Sequence, residues 1–157
     1  MKRVLSSATV LLVLCTLLLQ SVGCGGGNND TINCDSKDYP PELKPFVPIV
    51  EAWIYDYIDE ISDEIGALVT ANLPVARDIA SAAVKKAITK NLQCKIIEAE
   101  ARQNGQEHDV RVRLAFPLEF DLPKVPTKKY TVEADYILRV REGNVVDSNI
   151  DLDSFHI

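Results

Sequence analysis

The sequence predicts an α+β domain in which two helices pack on one face of a four-stranded antiparallel sheet. Three observations carry this expectation. Apolar residues recur at three- and four-residue steps from Ile49 to Leu68, and the period changes to two after Gln93. Asn104-Gly105 and Glu142-Gly143-Asn144 separate alternating runs as hairpin turns do. Each expected strand has one apolar and one charged face, so the helices must cover the apolar side.

The prolines at 40, 41, 45 and 48 make the segment before the first helix irregular. The first helix is expected over about 48–71, with Val50, Trp53, Ile54, Ile61 and Ile65 in its apolar stripe and Asp56, Asp59, Glu60, Asp63 and Glu64 opposite. Asn72-Leu73-Pro74 ends it and opens a second helix over about 75–91. Ala80, Ala83 and Ala87 let this helix lie close to a neighbour, and Lys85, Lys86 and Lys90 suit its negative C-terminal end.

The first strand is expected to place Ile97, Ala99 and Ala101 on the core side. Val110, Val112, Leu114, Phe116, Leu118, Phe120 and Leu122 form one face of the second strand. A tight turn at Asn104-Gly105 pairs Ala99 with Val110 and Ile97 with Val112, and sets Glu98 beside Arg111 and Arg102 beside Glu107. Pro117 marks a bulge or an edge. After a turn bracketed by Pro123 and Pro126, Tyr130, Val132, Ala134, Tyr136, Leu138 and Val140 make the inner face of a third strand. A three-residue turn with Asn144 left-handed pairs Val140 with Val146, Tyr136 with Ile150 and Ala134 with Leu152.

Composition narrows the function. The 157 residues are 46% hydrophobic and 25% charged, a globular balance, with a net charge of -6. Nucleic acid is not an expected partner, because it requires a basic footprint. No Gly-rich phosphate loop, nucleophile elbow or His-Glu-x-x-His pattern occurs, and His108 and His156 have no partner at ligand spacing. The expectation is a protein that is not an enzyme and needs neither cofactor nor metal.

The N-terminus reads as an address. Lys2 and Arg3 precede an apolar run densest over 10–19, followed by Ser21-Val22-Gly23-Cys24. This end resembles the signal peptide of bacterial lipoproteins, with Ser21 where those usually carry leucine. Left uncut, residues 4–22 would just cross a bilayer. The resemblance implies removal of 1–23, lipidation of Cys24 and attachment to the membrane through that lipid. Gly25 stands where inner-membrane retention would use aspartate, so the outer membrane, facing the periplasm, is implied for a host with two membranes. Cleavage removes Lys2 and Arg3 and no acid, moving the net charge from -6 to -8. The expected organisation is a signal peptide over 1–23, a tether with a Pro-rich lead-in over 24–47, and the α+β domain over 48–157.

Cys34 and Cys94 then remain, either bridged or as two free thiols; an exported compartment favours the bridge. Among charged groups, Glu133, Asp135, Asp147, Asp151 and Asp153 are expected on the exposed face of the last two strands, Asp151 opposite Asp135 and Asp153 opposite Glu133. This face is solvated, holds a cation or meets a basic protein partner. If its acids only repel one another, Asp135→Asn should slightly stabilise the fold.

The element order resembles cystatin-like and nuclear-transport-factor-2-like folds, which wrap a curved sheet around helices. Two functions follow as expectations. The first is a lipid-anchored, non-catalytic cell-envelope protein acting as an accessory or protein-binding module. The second is a carrier or sensor of an apolar ligand or lipid, in a pocket lined by Trp53, Tyr57, Leu114, Phe116, Tyr130 and Tyr136.

Overall fold

The computed structural model describes residues 32, 34 and 38–157, except 104 and 121–127. The expected signal peptide, Cys24, the tether through 31, Asn104, Leu122 and the turn at Pro123 and Pro126 lie outside the described residues. A 3-10 turn, Lys44–Phe46, leads into α1 (Val47–Asp56), α2 (Ile58–Asn72) and α3 (Arg77–Asn91). Then come β1 (Gln93–Ala101), β2 (Glu107–Glu119), β3 (Lys129–Arg141) and β4 (Asn144–His156). The strands form one antiparallel sheet in the order β1-β2-β3-β4, so the domain is α+β.

The expected first helix is two helices, broken at Tyr57, where φ is -113° and ψ 22°. The halves both reach Tyr136 of β3, and α2 also lies close against α3. Trp53 of α1 stacks edge-on against Tyr136 of β3, with ring centroids 5.2 Å apart. On α2, Gly66 lies so close to α3 that a Cβ there would sit 2.9 Å from the Ser81 Cα. Tyr57 and Ile58, aromatic and β-branched, are poor helix formers and let the chain re-aim between these partners.

Alternation along β2 and β3 buries Val110, Val112, Leu114, Phe116 and Leu118, and Val132, Ala134, Tyr136, Leu138 and Val140. These join Val50, Ile54, Ile61, Ile65, Val69, Val84 and Ile88 of the helices in one core. Each large side chain so buried contributes about 1.5–3 kcal/mol.

Cys34 and Cys94 form a disulfide across 60 residues, a closure contributing about 4 kcal/mol in the chain-entropy account. The bridge also explains a departure in β1. It turns Cys94 and Ile96 inward, whereas the hairpin turns Ala99 inward, opposite Val110. These parities differ by one residue, and Ile97 absorbs the difference as a bulge. Val112 therefore faces Ile96, not Ile97; Ile97 and Ala101 are exposed. The Ile96 N–H donates to the Tyr39 hydroxyl at 2.8 Å, a second tie from the lead-in to β1.

From Glu98 to the turn the first hairpin keeps its expected register, with Ala99 opposite Val110 and Ala101 opposite His108. Gly105 has φ +67°, and its N–H donates to the Arg102 carbonyl at 2.8 Å. The second hairpin departs from expectation. Its turn has two residues, Glu142 (φ +50°) and Gly143 (φ +77°), with Arg141 opposite Asn144. Val140 then faces Val145, not Val146; the register shifts at Val146, so Asp147 meets Arg139 and Ile150 meets Tyr136 as expected. A second shift places His156, not Asp153, opposite Glu133, and the pairing of Ala134 with Leu152 is not made. Pro117 sits where β2 outruns β1: β1 pairing stops at Ala115, and Pro117 faces only Thr131. Its missing N–H costs no ladder bond on that local edge.

Candidate docking surface on the sheet

The face of the sheet opposite the apolar core carries the charges. Its organisation follows from the β2–β3 register, which puts Arg113 opposite Asp135 and Glu107 opposite Arg141. Arg113 donates to both Asp135 carboxylate oxygens, Nε at 2.7 Å and Nη2 at 3.0 Å. The Asp135 N–H donates to Ser154 Oγ at 2.8 Å. Asp135 thus has the expected parity, but it is buried, its side chain only 3% exposed. Arginines from the neighbouring strand cover it, where exposure was expected.

Arg111 links three acids. Its Nη1 lies 3.0 Å from Asp151 and 3.7 Å from Asp135, and its Nε 3.1 Å from Glu98. The guanidinium therefore sits between the opposed Asp135 and Asp151 and relieves their repulsion. Asp147 has Arg139 Nη1 at 3.5 Å and is also approached by Asn149. Glu133 is half-buried opposite His156. Asp153 is exposed; its N–H donates to Asp151 Oδ1 at 3.2 Å, and no cation lies within ion-pair distance of its carboxylate among the described residues.

Glu107 belongs to this face but not to the expected acid set. Its carboxylate accepts both Nε (2.7 Å) and Nη2 of Arg141, with Arg102 Nη1 at 3.7 Å, and it is only 7% exposed. The Arg141 hydrogen bond holds it below the usual glutamate range, with the charges of Arg141, Arg102 and Arg139 adding to this. The same logic raises the Arg113 guanidinium beside Asp135. The signal for both pairs was the odd-numbered parity of β2, but reading it required the β2–β3 register, set across the long 121–127 connection. No group of three or more potential metal ligands occurs among the described residues.

Of the expected apolar-pocket residues, Trp53 and Tyr57 share one cleft and the other four do not line it. Trp53, Leu114, Phe116 and Tyr136 are buried in the core. Tyr130 is half-buried, edge-on to Phe120 at 6.2 Å. The Tyr136 hydroxyl donates to Glu64 Oε2 at 3.0 Å; burial first, then the Glu64 charge, push its pKa far above the ordinary tyrosine value. Tyr57 is 47% exposed. With Trp53, Val145, Val146, Asp147 and Ser148 it lines an open cleft of about 240 Å³ between the helix break and the start of β4.

No helix among the described residues is long and apolar enough to cross a membrane. No protein-family model, curated protein or solved structure matches the chain.

Proposed function

We propose that this chain is a lipid-anchored protein of the bacterial cell envelope, without catalytic activity, that serves as an accessory, protein-binding module. The observation that carries the reading is the Cys34–Cys94 disulfide. Such a bridge persists in an oxidising compartment, the destination that the N-terminal resemblance implies. It also fixes the reach of the anchor. From Cys24 to Cys34 the chain has ten steps, a span of at most about 35 Å, and beyond Cys34 the lead-in is tied to β1 through the bridge. A domain held that close to a membrane is placed to meet an envelope partner, in the outer membrane facing the periplasm where the host has two. In this arrangement the helices form a layer over the apolar face of the sheet, and the charged face stays open.

Cys24→Ser tests the anchor: it should abolish lipid labelling and leave unprocessed precursor. A pull-down from detergent-solubilised membranes tests the module, and should yield a stoichiometric protein partner. Normal processing of the serine variant, or recovery of the protein with no partner, overturns the reading.

A further inference from the structure

We propose that β4 is a docking edge, to which an extended segment of a partner protein, alternating basic and apolar residues, adds as a fifth strand. The inference rests on the protein-binding reading above and names the partner's chemistry.

The sheet has two edges, and they differ. β1 is tied along its inner positions to the chain's own lead-in, through the parallel bridge of Cys34 to Cys94 and the Tyr39–Ile96 hydrogen bond. β4 pairs only with β3 among the described residues, so no strand lies along its other side; at its far end the Asp153 N–H and the Asp151 carbonyl are engaged by Asp151 Oδ1 and Ser154 Oγ.

The side chains of β4 state what would fit. Asp147 and Asp151 project on the charged face of the sheet, with Asp153 two positions further on. Asp147 is paired on its β3 side by one arginine, and Asp153 has no cation within ion-pair distance among the described residues. Two positions of the opposite parity, between Ser148 and Ser154, are apolar and incompletely covered: Ile150 is half-buried and Leu152 is 64% exposed. At the start of the strand lies the cleft of Trp53, Tyr57 and Val146, the last 49% exposed. An added strand would place lysine or arginine beside the aspartates and apolar residues beside Ile150 and Leu152, with one anchoring side chain in the cleft. A second copy of this chain fits poorly: antiparallel self-pairing about Asn149 would set Asp147 against Asp151 twice over.

The test uses the full-length lipidated protein in detergent and a synthetic peptide alternating lysine and valine. Amide hydrogen exchange should show new protection over residues 147–153. Binding should weaken with added salt, and by about tenfold in the Asp147→Lys/Asp153→Lys double variant. A peptide alternating glutamate and valine should not bind. Protection elsewhere, no protection, or equal binding of both peptides overturns the proposal. So does a salt-insensitive dimer in sedimentation that Leu152→Lys dissolves, since the occupant would then be a second copy. A photo-crosslinker in cells separates this proposal from the reading beneath it. Capture of the partner from Leu152 supports the edge; capture only from Ile79, exposed on α3, overturns the edge and leaves the module standing. Capture from neither, with no partner in the pull-down, overturns both.

Discussion

Asp135→Asn separates a face of repelling acids from a face of ordered ion pairs. Simple repulsion between Asp135 and Asp151 makes the substitution stabilising; the structure reverses the sign. Asn keeps one acceptor oxygen but turns an amide N–H₂ toward an arginine donor, so one of the two bonds to Arg113 is lost and the other keeps the charge of its donor alone. A hydrogen bond to a charged group contributes about 1.5–3 kcal/mol. Relief of the repulsion across the Asp135↔Asp151 pair returns at most about 1 kcal/mol, and Arg111 between them already supplies much of that relief. Arg113 is 45% exposed and regains water when released, which trims the loss further. The expected net destabilisation is about 2 kcal/mol. With a urea slope of about 1.5 kcal/mol/M, the unfolding midpoint falls by roughly 1.3 M. In an Arg113→Met background the same substitution should cost well under half as much, which assigns the effect to the pair. An unchanged or raised midpoint in the single variant refutes the reasoning.

Three further outcomes follow from the same geometry. Cys34→Ser/Cys94→Ser should lower stability by about 4 kcal/mol in equilibrium urea unfolding, the loop-closure value for the 60-residue separation. Gly66→Ala, which on helix propensity alone would gain about 1 kcal/mol, should instead lower the melting temperature, because Ser81 backbone atoms lie 2.9 Å from the new Cβ. Glu107 has a folded pKa below its ordinary value, so its contribution is complete above about pH 4.3 and is lost as pH falls through the folded value. Glu107→Gln should therefore be less stable than the parent at neutral pH and show a shallower acid limb in a stability-against-pH series.

The parts of the fold that sequence alone made legible are those in which one local pattern had a single solution. The alternation from Val110 to Phe120 admits one parity, and the first hairpin fixes Ala99 opposite Val110. Where two apolar residues are adjacent, alternation is degenerate. Ile96-Ile97 and Val145-Val146 are such places, and each is where the register shifts. The Ile97 bulge arises only because the disulfide and the hairpin demand opposite parities, a conflict between a 60-residue contact and a local one. The break at Tyr57 is hidden for a similar reason: α1 and α2 carry one continuous stripe and both reach Tyr136, while α2 also lies close against α3. The acids of the last strands were legible by parity. Arg139 beside Asp147 followed from the β3–β4 register, but the partners of Asp135 and Asp151 did not, because Arg111 and Arg113 come from β2, across a connection that carries no register signal.

The central claim, a lipid anchor at Cys24 on an exported and disulfide-bridged domain, is tested most directly by the N-terminal peptide of the protein purified from membranes in detergent. Mass spectrometry should find a mature chain that begins at Cys24, with a diacylglyceryl group on its sulfur, and no peptide from residues 1–23. A mature chain that retains residues 1–23, or a Cys24 carrying a bare thiol, contradicts the account.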